Sequence, residues 1–440
     1  MLECIVTKFG GSSLANDEQF RKVRSILELE PARKYLVPSA PGKRFSGDEK
    51  VTDLLYECYH LVSEGKPVAG TFSKIRERYL SIARMLHLQV DIESALDEVE
   101  KGIAGGRSRD WCASRGEYLC GMLMADYLGW RFVDAACGIR FRDDGSLDDE
   151  KTQELLSGLL ADGEPSVVPG FYGAREDGEV VTFSRGGSDI TGALVARAVG
   201  ADAYENWTDV SGFLMADPRI IENPAEISSI TYKELRELSH MGASVLHEDA
   251  MFPVHRAGIP TNIRNTNKPY HPGTMISRNA PNELSVPTIT GIAGHQGYSV
   301  IYVEKNMMNS EVGFGRKVLS VLEEYGISFE HLPTGIDSMC VVVKSELLEP
   351  YQKEIVARLE QLVGDSGSVS ISDHLSIIAT VGRGMVHNCG TAARLFSAMS
   401  RARINVRMID QGSSELSIIV GVNDSDFEAT IHAIYHEFVG

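Results

Sequence analysis

The sequence contains no G-x-x-x-x-G-K-[ST] and no G-x-G-x-x-G placed after a strand, so its motifs indicate neither a P-loop kinase nor a Rossmann dehydrogenase. It has no C-x-x-C, no H-E-x-x-H and no Cys/His cluster, and none of its motifs suggests a protein-bound metal. Its seven cysteines are odd in number and widely scattered, which reads as reduced thiols and a cytoplasmic location. No apolar run approaches the length of a membrane span. The first residues carry Glu3 and break at Lys8-Phe9-Gly10, so they lack the apolar core of a signal peptide. Positive charge is scarce: 43 Lys and Arg stand against 61 Asp and Glu, a net charge of −18. That balance argues against a nucleic-acid partner or an anionic membrane surface, yet it leaves room for a local positive pocket.

What is present begins with length. At 440 residues the chain exceeds one typical core, and its 43% hydrophobic and 24% charged content is that of a globular protein of two or three domains. The stretch Phe183-Ser184-Arg185-Gly186-Gly187-Ser188-Asp189 organises the reading. Val180 to Phe183 reads as a strand and Asp189 to Val199 as a helix. A strand that breaks at two glycines and turns into a helix aims unpaired N–H groups and a positive dipole end at one point, which makes an anion site. Arg185 adds a planar cation suited to carboxylate or phosphate. Asp189 is either a helix cap or an orienting group. A second stretch repeats the arrangement: strand Cys4 to Lys8, turn Gly10-Gly11-Ser12-Ser13, helix Asn16 to Leu29. One such turn is usually just a tight connection; two of them, one with Lys8 and one with Arg185 and Asp189, point to phosphate handling.

Along residues 1–280 strand and helix signals alternate, as in an α/β domain. Lys34 to Val37, Arg131 to Asp134, Ser166 to Pro169, Asp202 to Trp207 and Pro260 to Asn265 read as strands. Residues 43–50 read as a polar, mobile loop, and helices are expected from Val51 to about Glu64, twice within 71–101, after Arg109, from Tyr232 to Leu238 and from Gly242 to Ala257. His271 to Pro287 reads as a linker.

The last third repeats itself at a shift of about 77 residues. Ser299-Val300-Ile301 meets Ser376-Ile377-Ile378, Met308 meets Met385, Gly313 meets Gly390 and Val343 meets Val420. Each copy reads strand, glycine loop, helix, strand, strand, helix, which is ferredoxin-like. Strands of the first copy are expected at 299–304, 327–333, 339–344 and 368–371; those of the second at 376–381, 404–410 and 416–421. The second copy is then one strand short and would leave a bare sheet edge. Thr288 to Ile292 is therefore expected to complete it beside Ser376 to Val381, with the first copy inserted.

Lys8-Phe9-Gly10-Gly11-Ser12-Ser13, Ser114-Arg115-Gly116-Glu117, Gly170-Phe171-Tyr172-Gly173, Ser184 to Asp189 and Trp207-Thr208-Asp209-Val210 together resemble, in order, the motifs of aspartate kinases within the amino-acid kinase superfamily. The repeat resembles a tandem pair of ACT domains, the family's regulatory modules. The resemblance spans essentially the whole chain and implies an α/β fold: an amino-acid kinase (carbamate-kinase-like) three-layer sandwich over 1–280, a linker and strand over 281–298, and two ferredoxin-like (α+β) ACT domains over 299–372 and 373–440. It implies ATP-dependent phosphorylation of the L-aspartate side chain by a monofunctional enzyme, with Mg²⁺ carried by the nucleotide and no resident metal. Lys8 would bridge the transferring phosphoryl group and Asp189 would orient the cations around it. Ser39, Thr52, Glu117, Phe171, Arg185 and Ser188 would line the aspartate site, Glu117 taking the α-ammonium and Arg185 a carboxylate. Lys8, Gly10, Gly11, Ser12, Gly186, Gly187, Thr208, Asp209, Leu214, Asp217 and Arg219 would face ATP. An amino-acid effector, lysine and/or threonine, would meet Met308, Gly313, Phe314, Gly315, Ser328, Glu330 and Thr334. A homodimer through the ACT domains, or a tetramer, is implied.

Three departures stand out. Ser244 occupies the place of a family lysine near the nucleotide phosphates, so that either Lys268 or another cation would substitute or ATP would bind differently. Thr334-Gly335-Ile336-Asp337 replaces the usual Thr-Ser-Glu stretch, and the Lys43–Lys50 insertion is long. Competing readings are another amino-acid kinase, acting on glutamate, N-acetylglutamate or UMP, and a non-catalytic amino-acid sensor.

Overall fold

The structure is a computed structural model and describes residues 2–242, 251–278 and 287–440. Ser244, much of the expected helix Gly242 to Ala257 and part of the linker fall outside the described residues. The chain forms two compact units: Met1–Phe213 with Ser228–Tyr232 and Val245–Ala280, and Leu214–Ile227 with Lys233–Ser244 and Pro281–Gly440. The division is thus not a single cut near residue 280.

The first unit is built on an eight-stranded sheet. From edge to edge its strands are Ser229–Thr231, Thr274–Ser277, Thr261–Asn265, Ala203–Thr208, Ile5–Phe9, Arg33–Pro38, Ser166–Val167 and Arg131–Phe132. Every pairing is parallel except that between Thr261–Asn265 and Thr274–Ser277. All five residues of Ile5–Phe9 are buried, as a central parallel strand requires. Successive side chains point to opposite faces. Phe9 joins Leu36, Val167 and Trp207 in one core with residues of helices Asp17–Glu28, Val51–Ser63, Ala69–Leu86, Ile92–Ala104 and Arg109–Leu128. Lys8 points the other way, to helix Gly187–Ala198. Three layers result. Helix starts are set by Asn16, Asp91, Ser108 and Asp148, whose side chains accept the N–H three residues on.

The strand Ile5–Phe9 is where the sheet changes direction: the chain moves to Arg33–Pro38 on one side and later to Ala203–Thr208 on the other. Ligands of open α/β sheets bind at the carboxyl ends of strands at such a point. On the apolar face beneath lies a buried charge cluster. Glu205 accepts from Arg33 Nε and Nη2 (2.8 and 3.0 Å), from Trp207 Nε1 (2.9 Å) and from Arg264 Nη1 (3.2 Å). Both guanidiniums lie against the Trp207 ring, and Phe9 stacks on it. The cluster ties together three adjacent strands and the one beyond.

The loop over residues 43–50, expected to be mobile, is instead tied down. Buried Arg78 donates to Gly42 O (2.8 Å) and to Asp48 Oδ2 (2.7 Å), and Arg44 pairs with the same carboxylate. These contacts hold the Asp48 pKa well below the usual carboxylate range, the Arg44 hydrogen bond being the largest cause.

In the second unit both repeats share one antiparallel sheet in the order Ser338–Lys344, Gly291–Lys305, Gly367–Val381, Ser417–Asn423, Met408–Asp410. Its two longest strands have 15 residues each and run through both copies. Ile292 lies opposite Thr380, and Thr290 N–H bonds Val381 O at 2.7 Å, so this segment pairs with the second copy as expected. It is not a separate strand but the first part of Gly291–Lys305. Two expected strands are shorter than foreseen. Residues 327–333 contribute the single bridge His331–Val342, because Pro333 has no N–H to give; of 404–410, Met408–Asp410 is a strand. The repeat is visible in matched geometry: Gly313 and Gly390 both cap helix starts with φ of 84° and 86°. The helix ending at His240 belongs here through Glu234, fully buried, which accepts from Arg383 Nη1 (2.6 Å) and Thr290 Oγ1 (2.5 Å).

Arg33→Met removes the two-pronged partner of a buried carboxylate. It should lower stability by roughly 3 kcal/mol, read from the midpoint of urea unfolding. A loss under about 1 kcal/mol would mean that Arg264 and Trp207 hold Glu205 unaided.

Candidate active site

The two glycine turns converge. Lys8 Nζ lies 2.6 Å from Asp189 Oδ1, with 10% and 17% of the two side chains exposed. Asp189 is not the cap of its helix: Gly186 is, at φ 58°, a left-handed conformation that glycine adopts without strain. The Asp189 carboxylate turns instead to Lys8 and to Asn206, whose Nδ2 donates to the same Oδ1 at 2.8 Å. Tyr204 OH donates to the Asp189 carbonyl at 3.2 Å. In the first turn the Gly10 N–H is bonded to Trp207 O at 3.0 Å and so faces no ligand in this conformation. Gly11 and exposed Ser12 open the short helix Gly11–Leu14, whose first donors have no partner within the helix.

Glu117 lies in helix Arg109–Leu128, and Gly116 is what brings it in: a Cβ at Gly116 would stand 2.8 Å from Ala40 Cβ. Burial pushes the Glu117 carboxyl up to about 8, against the opposing pull of the Ala40 N–H and of Lys8. Among the described residues its Oε2 has no hydrogen-bond partner. The unpartnered oxygen is a buried acceptor open to an incoming donor such as an ammonium. Ser39 sits at the end of its strand, its N–H on Phe9 O at 3.1 Å. Thr52 is half-buried in the first turn of Val51–Ser63. Phe171 holds φ at 80°, an uncommon backbone state for a bulky residue, with its N–H on Thr191 Oγ1 at 3.1 Å. Ser188 is buried and Arg185 exposed, so Arg185 keeps its fork for a ligand.

Of the nucleotide-side residues, Thr208 ends strand Ala203–Thr208 and Asp209 follows it, the two side chains joined by a 3.2 Å hydrogen bond. Leu214, Asp217 and Arg219 belong to the second unit, where Asp217 and exposed Arg219 pair at 2.6 Å. Among the expected effector residues, Met308 and Phe314 are buried, Gly313 opens the helix that contains Gly315, and Ser328 and Thr334 are exposed. Glu330 is paired with His240 at 2.8 Å. The residue that sequence reading passed over is Asn206. Its signal was there: Glu205-Asn206 are two consecutive polar residues inside a buried central strand.

The amino acid kinase family matches residues 3–265 and the ACT domain family residues 378–438. The chain is 40% identical to aspartokinase 3 of Bacillus subtilis over 98% of both chains. Its fold matches the crystal structure of Clostridium acetobutylicum aspartate kinase with a TM-score of 0.91 and 49% identity, covering 99% of this chain and 100% of that one. At 24% identity and a TM-score of 0.74, E. coli aspartokinase III in complex with aspartate and ADP shares the fold over the full length of both chains. The chain belongs to the amino acid kinase family and, within it, to the aspartokinases.

The raised Glu117 pKa makes a pH prediction. The folded protein holds this proton from about pH 4, where the unfolded carboxyl loses it, up to about 8. The stability it contributes is therefore full below about pH 4 and is lost as pH rises through about 8. Glu117→Gln should match the parent near pH 4 and exceed it near pH 8 by a few kcal/mol, on the order of the linkage limit. Equal urea midpoints at both pH values would show that Glu117 ionises normally in the free protein.

Proposed function

We propose that the chain transfers the γ-phosphoryl group of ATP to the side-chain carboxylate of L-aspartate. The products are 4-phospho-L-aspartate and ADP, and the step leads toward lysine, threonine and methionine. The observation that carries this reading is the buried Lys8–Asp189 contact at the carboxyl end of the central strand, with a buried Glu117 near Lys8 whose Oε2 has no partner among the described residues. The aspartate carboxylate attacks phosphorus as the bond to the bridging oxygen of ADP breaks. That nucleophile is already ionised and needs no general base. What the protein must supply is position and positive charge where phosphoryl charge develops.

Lys8 supplies that charge and Asp189 orients it. Glu117 receives the α-ammonium, Arg185 a carboxylate, and Ser39, Thr52, Phe171 and Ser188 shape the rest of the aspartate site. Gly10, Gly11, Ser12, Gly186, Gly187, Thr208, Asp209, Leu214, Asp217 and Arg219 serve ATP, and Mg²⁺ enters as part of that substrate. Residues 299–372 and 373–440 act as regulatory ACT domains, the second completed by the strand preceding 299. The enzyme works in the cytoplasm as a homodimer through these domains, or as a tetramer.

Lys8→Met and Asp189→Ala should each lower kcat at least about 100-fold while the unfolding midpoint changes little, because electrostatic stabilisers contribute on that scale. A coupled ADP-release assay with L-aspartate, L-glutamate and UMP reads this directly. Near-parental kcat in either variant would move the transfer site elsewhere, and preference for glutamate or UMP would replace the substrate.

Regulation is assigned to the loop Met308 to Gly315 and the segment Ser328 to Thr334. The helix start at Gly313 offers N–H donors to an effector carboxylate. Binding of effector and of aspartate should oppose each other. Steady-state rates with each protein amino acid, singly and in pairs, should show inhibition by lysine, threonine or both; inhibition by none would remove this assignment.

A further inference from the structure

We propose that Asn206 is a positioning residue for phosphoryl transfer, acting through Asp189. This rests on the reading of Lys8 and Asp189 given above. Asn206 lies in the middle of the sheet, 3% exposed, with Lys8 opposite it on one neighbouring strand and Ile263 on the other. Central parallel strands are normally apolar on both faces, and a buried amide there needs a partner. Glu205, the adjacent polar residue, faces the opposite side of the sheet and has its own partners in Arg33, Trp207 and Arg264. Asn206 has Asp189.

Two donors converge on one oxygen. Lys8 Nζ at 2.6 Å and Asn206 Nδ2 at 2.8 Å both meet Asp189 Oδ1. They differ in what they do when substrate arrives. The Lys8 ammonium sits on a flexible stem and turns toward the phosphoryl oxygens. Asp189 then shares the ammonium with those oxygens. The Asn206 amide is held on a short side chain in the sheet and cannot follow. It keeps the carboxylate in place while Lys8 moves, so that Asp189 remains a fixed counter-charge rather than swinging after the lysine. A hydrogen bond from a neutral donor to a carboxylate is strong enough for this task.

Asn206→Leu keeps the side-chain volume and deletes the donor. It should lower kcat about tenfold, the scale of one hydrogen bond to a charged group, with KM for aspartate and ATP within about twofold. Asn206→Asp puts a second carboxylate against Asp189 and should cost more than the Leu variant. The deciding measurement is a double-mutant cycle. In the Asp189→Ala background Asn206→Leu should change kcat less than about twofold, because nothing remains to be positioned. A full tenfold loss in that background, or parental kcat in Asn206→Leu alone, overturns the proposal. If Asp189→Ala itself keeps parental turnover, the transfer-site reading has failed instead. Should Asn206→Leu fail to fold, Asn206→Ser supplies the same cycle.

Discussion

A buried lysine at the end of a buried strand is the constraint on which the first unit turns. An ammonium removed from water needs a counter-charge, and none is available on its own strand. Asp189 provides it from a helix whose Gly186–Gly187 turn lies 176 residues after the equivalent Gly10–Gly11 turn, the span from Lys8 to Asp189 being 181 residues. The pairing obliges the helix Gly187–Ala198 to point its first turn at the end of the strand Ile5–Phe9. The same arrangement brings a lysine and the start of that helix to one point, where anionic groups would meet.

The sheet beneath is held by a second set of charges on the other face. Arg33 and Arg264 come from strands on either side of the strands they join, and both reach Glu205. Such a cluster contributes more to specificity of register than to net stability, since replacing buried charges with apolar side chains is often neutral or better. Register is what the site needs. A one-residue slip of Ala203–Thr208 would turn Asn206 to the wrong face and put Trp207 beneath Asp189.

The second unit meets a different constraint. The second copy alone is one strand short, and the two copies resolve this by sharing strands. Gly291–Lys305 and Gly367–Val381 each serve one copy with one half and the other copy with the other half. The two halves of the regulatory sheet are therefore covalently continuous strands, and a distortion in one copy has a direct mechanical route into the other.

Much of this was legible in the chain. Alternating strand and helix signals and the 77-residue repeat indicated the fold class, the two strand–glycine–helix stretches put Lys8 and Asp189 at convergent turns, and the strand count joined Ile292 to the second copy. Those are local signals: glycines at turns, period-two burial, and a strand count. Tertiary structure alone decided the rest. The loop over residues 43–50 reads as mobile because its composition is polar; Arg78, some 30 residues away, anchors it. The family resemblance makes Glu330 an effector ligand; His240, 90 residues earlier, pairs with it. Asn206 reads as one more strand residue until Asp189 is beside it. Each of these depends on a partner distant in sequence, and one sequence records side chains but not which of them meet.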